Sequence, residues 1–224
     1  MSSERLQRWR DEFAADHDGR SPYEQIWHES HEWDRIHANA AELAEREDDL
    51  DQLDRAVALW EAGQPSQAIG IWRELADRGS TWSMLELGRC YEFGAGLPAD
   101  PDHAEQWYKL ALAGGSQEAM LKCASAAASR GEFAACEAIL RSGIDQDWTP
   151  ALFWMAWHRQ VQSADKATYR AIFPLLKTAA QRGHPAARFF LVNFMSRGKF
   201  GIGRIPLGWS RAVQFAIEDV RRKP

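Results

Sequence analysis

Cysteine is scarce in this 224-residue chain: Cys90, Cys123 and Cys136 are odd in number and lack the CxxC spacing of zinc sites and redox pairs. That argues against a disulfide framework and for a reducing compartment, with the cytoplasm as the expectation. Long apolar runs are missing too. No stretch approaches the ~20 uncharged residues that a membrane span needs, and MSSERLQRWRDEF has no apolar run of signal-peptide length, so neither a span nor a secretory leader is expected. Continuous β-branched runs and two-residue alternation are absent, which excludes a sheet-based core. There is no GxSxG elbow and no Walker loop, and the GxG at Gly201 to Gly203 has neither a strand before it nor a helix-opening glycine after it.

Acidic charge is scarce at one end and concentrated at the other. Residues 1 to 60 hold 16 Asp and Glu against 7 Lys and Arg, whereas residues 181 to 224 hold nine bases and two acids. The bases are spread over several predicted elements, and the acidic segment would repel a polyanion, so nucleic-acid binding is not expected. A solvated helix face and head-to-tail contact between the two ends both fit this asymmetry.

Helical periodicity is present nearly everywhere. Leu6, Trp9 and Phe13 form a stripe that predicts a short helix over 3 to 15. A second helix opens at Ser21 and Pro22, where Ser21 and Glu24 make a capping-box pattern and proline fits the first turn. Its stripe runs through Tyr23, Ile26, Trp27, Trp33 and Ile36 toward Leu43. From residue 50 the chain becomes a series of paired helices punctuated by Gly79, Gly115, Gly143 and Gly183, glycines suited to a left-handed turn after a helix. The pairs are 50 to 62 with 65 to 78, 81 to 93 with 101 to 113, 117 to 130 with 132 to 142, 149 to 161 with 165 to 182, and 185 to 197 with 209 to 222.

The second pair carries Leu87-Gly88, Tyr91, Gly94-x-Gly96, Pro98, Asp100, Ala104, Trp107-Tyr108, Ala111 and Gly115. This segment resembles a repeat of the Sel-one-like family, helix-pair solenoids related to tetratricopeptide repeats. The last pair keeps Gly183, Ala187, Leu191 and Gly198 but has Val192 where the family prefers glycine. The first and third have shorter turns of tetratricopeptide type, and the fourth is crowded with aromatics in ALFWMAWH. The resemblance implies an all-α, right-handed α/α solenoid, a superhelix of about five helix pairs over 50 to 224, with residues 1 to 49 as an acidic helical extension or cap. It also implies a non-enzymatic adaptor or scaffold without cofactors, binding a peptide or protein segment on the concave face lined by the first helix of each pair, here called helix A.

Carried over by the glycine-anchored register, that face has one row at Glu86, Lys122, Trp154 and Phe190 and a second at Arg89, Ser125, Trp157 and Asn193. The expected strongest patch is Trp154, Trp157, His158, Phe190 and Phe194, rimmed by Arg188 and Arg197, because rigid aromatic area makes interface hot spots. At helical spacing the same tryptophans also fit packing between pairs, and the sequence leaves both readings open.

The alternative chemistry lies in IWHESHEWDRIH, where His28, His31 and Glu32 share a helix face and offer two imidazoles and a carboxylate to a divalent ion. A metal-dependent enzyme is therefore the competing class, although the HExxH pattern is not met and a polar helix face explains the same residues. The N-terminal helices have apolar surface that needs a partner, either the first repeat or a second copy in a homodimer. Cys123 and Cys136 are expected to fill small core positions, and Cys90 to lie next to the groove row.

Overall fold

The computed structural model describes residues 22–38 and 47–211, and every element among them is helical. The expected helix 3 to 15 and the far end of the second stripe lie outside the described residues. In chain order the helices are α1 (Pro22–Ile36), α2 (Glu47–Glu61), α3 (Pro65–Asp77), α4 (Thr81–Phe93), α5 (Pro101–Ala113), α6 (Gln117–Ser129), α7 (Phe133–Asp145), α8 (Thr149–Gln162), α9 (Lys166–Gln181) and α10 (Pro185–Ser196). A short 3₁₀ turn follows at Ile202–Arg204, and a further helix is described from 205 to 211. Helix A of the five pairs is α2, α4, α6, α8 and α10.

Two compact units divide the chain at 143/144. Residues 38 to 143 form one; the other combines the N-terminal segment through His37 with residues from Ile144 onward. We call them the middle unit and the outer unit. In the middle unit α2 packs on α3, α3 on α4, α4 on α5 and α5 on α6. In the outer unit α8 packs on α9, α9 on α10, and α10 on α1.

Local sequence explains where these helices start. Ser80 and Ser116 accept hydrogen bonds from Ser83 N–H and Ala119 N–H, and Asp100 accepts from Asp102 and His103 N–H with Pro101 following it in the first turn. Each satisfies donors that an uncapped helix start would leave orphaned. α4 ends at Gly94, whose φ of +66° places it in the left-handed region. One turn departs from the expected punctuation: Gly143 is buried inside α7, and the residue with positive φ is Asp147, at +59°. Helix α7 thus runs two residues beyond its glycine, and Arg182 holds the turn by bonding both the Asp147 carboxylate and its carbonyl oxygen.

The core of the middle unit is apolar. Leu53, Ala56, Ile69, Trp72, Leu75 and Leu87 form one cluster, and Leu85, Ala104, Tyr108, Ala111 and Cys123 form another. Gly88 has a more specific reason than close backbone approach. A Cβ there would lie 2.4 Å from Cε1 of Tyr108, so the absent side chain makes room for the tyrosine ring of α5. The outer unit instead concentrates aromatic rings: Phe153, Trp154, Tyr169 and Phe190 are all buried.

Candidate functional site

In the middle unit the helix A face is polar and electrically paired. Arg89 on α4 bonds Glu86 on its own helix and Glu118 on α6. Glu92 on α4 accepts from Lys122 of α6 at 2.7 Å and from the hydroxyl of Tyr108. Burial opposes the Arg89 charge, but Glu86 and Glu118 more than offset it and raise its pKa. Burial, then the hydrogen bond given to Glu92, raises the pKa of Tyr108 and keeps the phenol protonated. The Lys122 ammonium also sits 5.4 Å from the centre of the Phe93 ring, which is exposed. Ser125, on the same helix, is exposed. Of the expected face residues, Glu86, Arg89 and Lys122 thus lie on neighbouring A helices joined by ion pairs.

In the outer unit the corresponding face is covered by the chain's own helix α1. The Trp27 ring lies 4.7 Å from that of Trp157, 5.7 Å from Phe190, 5.9 Å from Phe153 and 6.0 Å from Trp154, centre to centre. One and two turns further along α1 come two polar anchors. The Ser30 hydroxyl accepts the Ala186 N–H at 2.9 Å and donates to Ile26 O. Asp34, 3% exposed, accepts from Trp154 Nε1 at 2.7 Å and lies 3.0 Å from His184 Nε2.

His184 is itself the N-cap of α10, with Nδ1 accepting the Ala187 N–H. Because Nδ1 accepts, the ring proton belongs on Nε2, which then donates to Asp34. The first turn of α10 therefore receives a hydroxyl and a carboxylate from α1 where its unpaired N–H groups and positive dipole end favour them.

These contacts answer the open question about the aromatic patch. Arg188 is buried, 9% exposed, and Trp154 and Phe190 are buried beneath α1, each 8% exposed. They are not open to solvent as the groove reading supposed, because Trp27 occupies the space in front of them. Trp157, His158, Asn193 and Phe194 are half-buried, and Arg197 is exposed. His158 lies beside Trp154, its buried Nε2 has no hydrogen-bond partner among the described residues, and burial lowers its pKa. Helix α1 finds its partner on α8 and α10 rather than on the first repeat, and since α10 lies in the basic end, the contact is partly the head-to-tail one that the charge asymmetry suggested.

The N-terminal histidines are committed in a different way from a ligand set. The His31 ring lies against Trp154 and Trp27, and His37 stacks on Trp33 at 3.7 Å. Asp34 turns inward to the tryptophan. Among the described residues no group of three His, Cys, Asp or Glu side chains is placed to hold a metal ion. Cys90 follows Arg89 of the groove row but is not reachable from it: it is 3% exposed, packed in the core, and burial pushes its thiol up to about 12. No described helix is long and apolar enough to cross a membrane.

Sequence reasoning missed Trp27, Ser30 and Asp34 as a recognition set. Their spacing of i, i+3 and i+7 was visible, but nothing in a single sequence says which distant surface such a stripe meets.

Comparison with known proteins places this geometry. A Sel1 repeat model matches residues 83–116, the span that contains Gly88, Arg89, Glu92 and Tyr108. The crystal structure of a Sel1 repeat protein from Oxalobacter formigenes superposes with a TM-score of 0.58 at 16% identity, over 72% of this chain and 71% of that one. A protective antigen present in uropathogenic Escherichia coli strains and displaying an SLR fold gives 0.58 at 18% identity, over 76% of this chain but only 39% of its own length. No curated protein matches the sequence. Residues 83–116 are a Sel1 repeat, and the chain has the all-helical solenoid fold of Sel1-like repeat proteins.

Proposed function

We propose that this chain is a non-enzymatic scaffold that binds a segment of a protein partner along its helix A face. Residues 50 to 224 are the repeat array on this reading, and residues 1 to 49 an extension to it. Sel1 repeats as a family serve as protein-interaction scaffolds, which supports the general class. The observation that carries the reading is the occupied face in the outer unit. There the A helices α8 and α10 hold an amphipathic helix by an aromatic ring and two side-chain anchors, as helix-in-groove complexes do. In the middle unit Glu86, Arg89 and Lys122 offer the charged part of that face, and Phe93 adds exposed aromatic area beside it. The three buried, unpaired cysteines suit a reducing compartment, the cytoplasm. Because α1 seats Trp27 and Asp34 on its own chain, those residues give no motive for a homodimer.

The test is site-specific photo-crosslinking in native lysate. A photoreactive residue at Ser125, exposed on helix A of the third pair, is expected to trap a discrete protein. One at Gln106, exposed on α5, is not. Equal trapping from both positions rejects the helix A face.

A further inference from the structure

We infer that α1 is an internal substitute for a partner: the face of α8 and α10 takes an acidic amphipathic helix of another protein carrying an aromatic ring, a hydroxyl and a carboxylate at i, i+3 and i+7, and α1 competes with it. The inference rests on the scaffold reading and specifies the partner of one part of that surface.

Three observations define the guest. Trp154 Nε1–H, His184 Nε2–H and the Ala186 backbone N–H are groove donors that meet acceptors on α1. A guest must therefore bring acceptors, and burying these donors opposite an apolar guest would cost the desolvation of each. Next, the aromatic box of Phe153, Trp154, Trp157 and Phe190 surrounds one ring of α1. A guest aromatic two turns before the carboxylate fills that position, since residues seven apart return to the same helix face. Charge sets the third condition. Helices α8 and α10 contain Arg159 and Arg188 and no Asp or Glu, whereas α1 contains four acids and one base. The host side is cationic and the guest anionic, so steering favours an acidic helix over a neutral one.

The α1 helix is not one of the repeat hairpins, and its anchors reach α8 and α10 across 120 to 156 residues of sequence. Because it belongs to the same chain as its groove, α1 binds there intramolecularly, and an external helix gains access only by outbidding it. Weakening α1 without touching the host must then raise affinity for the external helix.

The probe is a fluorescein-labelled synthetic peptide of residues 20 to 38, titrated against the full-length protein and read by anisotropy. Full-length protein with Trp27→Ala and Asp34→Asn is expected to bind it at least tenfold more tightly than wild type. Adding Trp154→Phe, which keeps a ring but removes the donor, is expected to weaken that binding about tenfold. A peptide carrying the Trp27→Ala and Asp34→Asn changes should not bind. Circular dichroism and a thermal melt establish that each variant is folded. Should the double variant fail to fold, a second pair decides: Ser30→Cys with Ala186→Cys locks α1 in place when oxidised, and the oxidised protein should bind the peptide at least tenfold more weakly than the reduced one. Equal affinities in wild type and weakened protein, indifference to the lock, or indifference to Trp154→Phe overturns the inference. Crosslinking from Ser125 reports on the middle unit, so capture there with peptide failure here leaves the scaffold reading intact, and loss of that capture alone rejects the scaffold reading.

Discussion

The middle and outer units present the same face of the same kind of helix pair and satisfy it by opposite means. On α4 and α6 the face is closed electrically, by Arg89 between Glu86 and Glu118 and by Lys122 on Glu92. On α8 and α10 it is closed by a visiting helix, with Trp27 among four rings and Asp34 on Trp154 and His184. Partly exposed ion pairs contribute little to stability, whereas buried aromatic area with paired polar groups contributes much. The comparison teaches that a repeat position can be a surface in one hairpin and an interior in the next, according to what lies in front of it.

The sharpest way to break this contrast is to delete one member on each side. Trp154→Ala removes a buried ring and leaves Asp34 short of a donor, so it is expected to cost about 3–5 kcal/mol in urea unfolding. Glu86→Ala is expected to cost about 1 kcal/mol or less, since Arg89 retains Glu118. Similar costs for the two substitutions would remove the distinction.

A narrower version separates packing from hydrogen bonding. Gly88→Ala drives a methyl into the Tyr108 ring and should destabilise by about 1–3 kcal/mol, with a lowered melting temperature as the readout. Trp154→Phe and Trp72→Phe remove similar volume, but only Trp154 loses a hydrogen bond to a carboxylate; the Trp72 indole N–H has no partner among the described residues. The first is expected to cost about 1–2 kcal/mol more than the second.

How much of this was legible follows from where the information lay. Helix pairs, their turns and the repeat around Gly88 could be read because local spacing encodes them. Gly79, Gly115 and Gly183 do sit at positive φ. The turn after α7 could not, because Asp147 adopts the left-handed conformation with help from Arg182, a residue 35 positions away. Glu86, Lys122, Trp154 and Phe190 lie on the first helices of their pairs. The exposure of the last two depended on α1, whose amphipathic stripe names no destination. The metal reading of IWHESHEWDRIH named Glu32 as its carboxylate and passed over Asp34, since a carboxylate among histidines looks the same in sequence whether it meets an ion or an indole.

Two smaller effects sharpen the contrast further. Burial lowers the pKa of His158 in the folded outer unit, so the unfolded chain takes up its proton first as pH falls. Its contribution to stability is full above about pH 6.5, the ordinary histidine value, and is lost as pH falls through the lower folded value. Melting temperature should drop between pH 7.5 and 5, and His158→Phe should flatten that part of the curve. In the middle unit the thiols of Cys90, Cys123 and Cys136 are pushed up by burial to about 12, 11 and 11. Ellman's reagent at pH 8 should label none in the folded protein and all three in urea; prompt labelling of Cys90 would return it to the surface.

The caps that α1 lends to α10 bear on how the chain is assembled. A repeat array ordinarily grows by nearest-neighbour addition, each hairpin docking on the one before it as it leaves the ribosome. Here an early helix completes a much later one, with Ser30 and Ala186 separated by 156 residues. Such a distant contact raises contact order and makes closure of the outer unit a late, slow event. Until residues 184 to 190 emerge, the acidic N-terminal helix has no seat on its own chain.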